Sequence, residues 1–249
     1  MVSHQTGGSW IYTDADNTLW DTNAVFADAQ LHLLEHAEKI ARKHTPSSTP
    51  LEYLRRYDQA IAKQHHLRLR YPPALLIRAL IMGLQGATSD AAAAALMVNG
   101  AVPSSEERSA LQSYEADLAR VPCLLPGVKD GLQLANDSRI PVYVVTEGPA
   151  DTARTRLKSL GIESYTSGVL SAQKTRDLYI RLIERAFPRR AVMIGDQPDR
   201  DVQLAHDAGM TTILVASRFR PEWLGTSDSG GADAVTQDFL AAIRWVVEH

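Results

Sequence analysis

One change of pattern constrains the chain more than any other feature. A single β-prone run, Trp10-Ile-Tyr-Thr, is followed by about one hundred residues with no strand signal, and strands and helices alternate only after Pro122. In the first stretch Val25, Phe26, Ala29, Leu33, Ala37 and Ile40 recur at helical spacing. The segment 45–50, with a proline at 46 and another at 50, breaks that helix, and a second follows from Leu51. Pro73 suits the first turn of a third helix. Asp90 precedes the strongly helical run 91–95, and Ser104 with Glu107 reads as a capping box. Beyond Pro122, residues 139–145, 191–194 and 211–215 read as buried strands. The helical runs 153–160 and 201–208 stop at Gly161 and Gly209, 173–187 is a further helix, and a last one covers 237–247 after a Gly- and Ser-rich loop at 225–231. Alternating strands and helices argue for a parallel sheet. The predicted fold is therefore α/β, a Rossmann-like parallel sheet core of residues 1–21 and 122–249, with a helical domain of residues 22–121 inserted after the first strand.

Composition narrows the function classes. Lys and Arg number 26 against 29 Asp and Glu, a net charge of −3, so no basic footprint points to nucleic acid. No apolar run approaches the ~18 residues of a membrane span. The N-terminal residues lack the basic flank and apolar stretch of a signal peptide. Cys123, the single cysteine, cannot form an internal disulfide, fits a reducing compartment and reads as a buried small hydrophobe. The expectation is a cytoplasmic monomer or homodimer acting on a small molecule.

Ligands of open α/β sheets lie beyond the carboxyl ends of the strands, so the residues at those ends bear most on function. The first strand ends in Asp14-Ala-Asp16-Asn-Thr18-Leu-Trp-Asp21. Alone, this is equally an Asp-rich turn capping the next helix. The strand at 141–145 ends in Thr146-Glu147-Gly148, a hydroxyl and backbone N–H groups that can hold an anion or simply cap a helix. Lys174 opens a helix, where a cation opposes the macrodipole. The strand at 191–194 ends in Gly195-Asp196-Gln-Pro-Asp199-Arg-Asp201, a carboxylate density that suits Mg2+. Together these make a site suited to phosphate: carboxylates whose mutual repulsion a divalent cation and a lysine offset, plus a hydroxyl.

With those residues assembled, the chain resembles the haloacid dehalogenase-like (HAD) phosphohydrolase superfamily. Asp14-x-Asp16-x-Thr18-Leu19 is similar to its first motif, Thr146 to the second, Lys174 to the third and Gly195-Asp196-x4-Asp201 to the fourth. Their order matches, as do the spacings of 28 residues from Thr146 to Lys174 and 22 onward to Asp196. The inserted helices resemble the family's C1-type cap in position and size. Two departures stand out: Thr175 follows Lys174 where many relatives have proline, and Glu147 stands where asparagine is common.

The resemblance implies a Mg2+-dependent phosphatase acting through an aspartyl-phosphate. Asp14 would be the nucleophile and Asp16 the general acid and then base. Asp14, the Asp16 backbone carbonyl and Asp196 would hold Mg2+, with Asp201 ligating through water or orienting Lys174. Thr146 and Lys174, with Glu147 and Gly148 beside them, would bind the phosphoryl group. Relatives that cleave carbon–halogen bonds lack an acid at the position of Asp16, because halide leaves without a proton. The substrate would be a small phosphorylated metabolite: sugar phosphates, nucleoside monophosphates and phosphoglycolate-like acids are all open. A phosphotransferase or phosphomutase is the alternative, and a non-catalytic binding member a further one. Trp20 and Asp21 are candidates to line the site, whereas His206 and the basic stretch 65–71 read as solvated surface.

Overall fold

The structure, a computed structural model, describes residues 8–68, 71–217 and 229–249. Leu69 and Arg70 of the basic stretch, and residues 225–228 of the Gly- and Ser-rich loop, lie outside the described residues. The chain divides into two compact units, Met1–Thr22 with Val121–His249, and Asn23–Arg120.

The first unit is a six-stranded, all-parallel sheet. Its strands are β1 (Ser9–Thr13), β2 (Val142–Thr146), β3 (Gly168–Ser171), β4 (Arg190–Gly195), β5 (Thr211–Val215) and β6 (Ala234–Thr236), in the order β3-β2-β1-β4-β5-β6. The sheet is built outward from β1 in both directions, so the order reverses between β1 and β4. That reversal opens the crevice in which such sheets bind ligands. Side chains of opposite pleat feed two apolar layers. Ile11, Val142, Val144, Val192 and Ile194 pack with Val128, Leu132, Leu157, Phe239 and Ile243. Tyr12, Val145 and Met193 pack with Leu178, Tyr179 and Leu182. Both faces are buried, which is why these strands read as continuous apolar runs rather than alternating ones.

The helices of this unit are α6 (Val128–Asp137), α7 (Ala150–Ser159), α8 (Arg176–Ala186), α9 (Gln203–Ala208) and α10 (Phe239–Glu248). The second unit carries α2 (Pro50–Gln64), α3 (Pro73–Leu84), α4 (Ser89–Asn99), α5 (Ser105–Leu118) and nearly all of α1 (Thr22–Ala41). The Ser104–Glu107 capping box forms in full. Pro50 and Pro73 each sit in the first turn of a helix. Among the described residues no helix is long and apolar enough to cross a membrane.

Several local expectations are corrected. Lys174 does not open a helix: α8 starts at Arg176, because the Thr175 hydroxyl accepts from the Leu178 amide (3.2 Å) and makes Thr175 the cap. The strand expected from 139 starts at Val142, since Arg139 takes a left-handed φ of 57° as the chain leaves α6. The helix expected over 201–208 opens instead as a π-helical turn, Pro198–Val202, before α9. Strands β3 and β6 carried no recognised signal. Cys123 is exposed rather than buried, and Trp20 is buried rather than lining an open site.

The second unit buries Asp58 beside its apolar core. Asp58 accepts from the Tyr71 hydroxyl and, at 3.2 Å, from the Gln59 amide, while the Gln59 carbonyl oxygen has no partner. Burial raises the Asp58 pKa, and the Tyr71 and Gln59 hydrogen bonds oppose that rise. An acid whose pKa is raised on folding loses stability as pH climbs from the unfolded value toward the folded one. Asp58→Asn removes that loss, and its new amide can donate to the free Gln59 oxygen after an amide flip. The melting temperature of Asp58→Asn is expected to gain on wild type between pH 4 and pH 8, read by circular dichroism.

Candidate active site

Four buried ionisable groups converge where β1 and β4 end. The Asp14 amide donates to Ile194 O (2.8 Å), which seats the residue after β1 against the end of β4. The Lys174 ammonium donates to Asp14 Oδ1 and, at 2.5 Å, to Asp201 Oδ1. Asp14, Asp196 and Asp201 offer carboxylate oxygens within 4.8 Å of one another. Asp201 Oδ2 accepts from the Gln197 amide (3.0 Å), so both of its oxygens are committed within the fold. Gly195 makes this approach possible: a Cβ there would collide with the Asp201 side chain.

Three carboxylates against one ammonium leave the cluster short of positive charge. Burial raises the Asp14 pKa to about 7 against the pull of Lys174, with Asp201 adding to the rise. Burial, with the neighbouring Asp14 and Asp201 charges, pushes Asp196 well above the ordinary range. Lys174 is raised: burial disfavours its charge, but Asp14 and Asp201 outweigh that. Asp196 Oδ1 is buried and has no hydrogen-bond partner. An orphaned carboxylate oxygen in an acidic, all-oxygen cluster fits a hard divalent cation, so Asp14, Asp196 and Asp201 could hold a metal.

Thr146 and Gly148, at the end of β2, form a tight turn in which the Gly148 amide donates to the Thr146 hydroxyl (3.0 Å). Glu147 is spoken for within the fold. It accepts from the Lys174 backbone amide (3.0 Å) and from the Arg200 guanidinium (2.5 Å), tying together the ends of β2 and β4 and the loop after β3. Asp16 lies apart from the acidic cluster. Its Oδ1 accepts from Trp20 Nε1 (2.8 Å), Thr22 Oγ1 (2.6 Å) and Arg156 Nη1 (3.1 Å). Arg156 and Arg200 were not found from sequence, since Arg156 reads there as an ordinary helix arginine and Arg200 as a residue of the acidic loop after the strand. His206 is exposed, as are His66 and Arg68 of the basic stretch.

The family model for haloacid dehalogenase-like hydrolases matches residues 10–209. The chain belongs to this family. Among solved structures, it is similar to a HAD-like family hydrolase from Xanthomonas campestris at 15% identity and TM-score 0.62, over 98% of each chain. A predicted phosphoglycolate phosphatase from Haemophilus somnus aligns at 16% identity and TM-score 0.62, over 97% of this chain and 99% of that one. A 2-haloacid dehalogenase from Pseudomonas syringae aligns at 19% identity and TM-score 0.51, over 97% and 98%. At such identities the likeness speaks for the fold, and the fold serves more than one chemistry. No curated protein matches the chain.

Two outcomes are expected from the packing and charge of this HAD site. Gly195→Ala is expected to lose about 1–3 kcal/mol by displacing Asp201, measured as the urea midpoint. In EDTA, the wild-type melting temperature is expected to fall as pH rises from 5 to 8. Unfolded carboxylates ionise near pH 4, whereas burial raises the pKa of Asp14 and of Asp196 in the fold, so rising pH favours the unfolded chain. Asp196→Asn flattens that fall.

Proposed function

We propose that the protein is a Mg2+-dependent phosphatase that hydrolyses a small phosphomonoester through an aspartyl-phosphate on Asp14. The observation that carries this reading is the different treatment of two carboxylates in one loop. Asp14 is buried against Lys174, while Asp16 stands outside the cluster with its side chain 43% exposed. Separate environments suit separate roles, a nucleophile and an acid–base group.

In the first step an Asp14 carboxylate oxygen forms a bond to phosphorus. The ester P–O bond breaks, its electron pair leaves on the substrate oxygen, and that oxygen takes a proton from Asp16. In the second step Asp16 takes a proton from water as the water oxygen attacks phosphorus. The bond between the Asp14 oxygen and phosphorus breaks, which releases phosphate and restores the Asp14 carboxylate and the acid form of Asp16. Lys174 pairs with negative charge on the phosphoryl oxygens, and the Thr146 hydroxyl donates to them. Asp201 orients Lys174. Glu147 keeps the Lys174 backbone in place and is removed from the substrate contacts expected of it. Asp14, Asp196 and Asp201 would hold Mg2+, which neutralises charge and serves as a template when bound. The helical unit Asn23–Arg120 is assigned the role of a cap that sets substrate choice.

The resemblance to a 2-haloacid dehalogenase does not extend to this reading, because a halide leaves without a proton and would leave Asp16 idle. Hydrolysis of p-nitrophenyl phosphate with and without Mg2+ is the test. Turnover is expected to need Mg2+, to vanish in Asp14→Asn, and to fall about 10²–10⁴-fold in Asp16→Asn on an alkyl phosphate. A folded wild type that neither turns over a panel of phosphomonoesters nor binds beryllium fluoride with Mg2+ would overturn the proposal. Phosphate passed to an added sugar in preference to water would make it a phosphotransferase.

A further inference from the structure

The arrangement around Asp16 sets its two oxygens apart. Oδ1 receives Trp20 Nε1, Thr22 Oγ1 and Arg156 Nη1, and every hydrogen bond that the described residues make to this carboxylate falls on Oδ1. An indole N–H and a guanidinium only donate, so neither can face a protonated oxygen as its acceptor. A carboxylate oxygen offers two lone pairs, and three donors occupy them. Oδ2 is therefore the oxygen left open to a proton.

Arg156 completes this arrangement. It lies on α7, the helix that follows Thr146 and Glu147, and its guanidinium also stands over the Trp20 ring at 5.9 Å from the centroid. The Trp20 indole is buried and is held from both sides, by Arg156 on its face and Asp16 at its N–H. Arg156 is not one more solvated helix arginine. Its side chain is 22% exposed, whereas Arg154 on the same helix is 54% exposed and pairs with an Asp151 that is 95% exposed. A charge-assisted bond at a partly buried site orients its partner, whereas an exposed pair contributes little.

We infer that Arg156 is a positioning residue: with Trp20 and Thr22 it anchors Asp16 Oδ1 so that Oδ2 delivers the proton to the leaving oxygen. The inference rests on the phosphatase reading and adds a substrate class. A proton held in place matters most for an alkyl phosphomonoester, whose leaving alkoxide is strongly basic, and least for an aryl or acyl phosphate, whose leaving oxygen departs as a stable anion.

The test compares wild type, Arg156→Met and Arg156→Lys on glycerol 2-phosphate and p-nitrophenyl phosphate, by kcat/KM. That ratio reports phosphoryl transfer to Asp14 and the departure of the leaving group, not the later hydrolysis. Arg156→Met is expected to lose about ten- to hundredfold on glycerol 2-phosphate and less than about threefold on p-nitrophenyl phosphate, with Arg156→Lys recovering most of the difference. Equal losses on both substrates, or none on either, would overturn the inference. A second readout is independent of turnover: the Trp20 indole N–H resonance of 15N-labelled protein, assigned by its absence in Trp20→Phe. It is expected to move in Arg156→Met and in Asp16→Asn. An unmoved resonance in Arg156→Met refutes the anchoring, even if wild type turns over no ester at all, an outcome that would instead sink the phosphatase reading.

Discussion

A buried ammonium shared by two carboxylates, with a third beside them, is the constraint around which the sheet end is organised. Lys174 meets Asp14 and Asp201, which come from the ends of β1 and β4. Removing charges from water is costly, and a buried ion pair is at best weak support for stability. The cost is tolerated here because the sheet carries it. The residues before Asp14 and Asp196 are locked in a parallel ladder with both faces covered. The remaining excess of negative charge is not a defect of packing. A divalent cation could offset it, and Asp196 Oδ1 has no hydrogen-bond partner.

The two acids of the first loop show how a short stretch of chain can supply unlike groups. In a continuing strand, residues two apart would point to one face and share one environment. The chain instead leaves the strand after Thr13, and Asn17 turns it with a left-handed φ of 59°, a conformation asparagine tolerates. Asp14 stays in the cluster while Asp16 swings out to Trp20, Thr22 and Arg156. The separation is made by backbone geometry and donor placement, since the two side chains are chemically identical.

Much of this was legible in the chain. Strands buried on both faces announce themselves as apolar runs, and the residues directly after each run occupy the carboxyl edge of the sheet. Asp14, Thr146 and Asp196 could therefore be placed from the sequence alone. The failures have physical causes. Strands β3 and β6 lie at the sheet edges, have four and three residues, and are only partly buried, so neither carries a long apolar signature. Lys174 was placed at a helix start because a lysine there looked anomalous; the Thr175 cap moves the start beyond it and removes the anomaly. Glu147 looked like a substrate contact because of its neighbour Thr146, whereas its partners are 27 and 53 positions away at Lys174 and Arg200.

By itself the sequence determined the parallel α/β core, the long helical insertion and the set of groups at the strand ends, because each is written in local periodicity and in the residues next to a strand's end. Only the tertiary structure decided how those groups are paired. That Lys174 is shared by Asp14 and Asp201, that Glu147 ties Lys174 to Arg200, and that Arg156 reaches Asp16 across 140 positions all depend on which helices and loops the sheet brings side by side. Charge pairing depends on distance through space, and local sequence pattern carries no record of it.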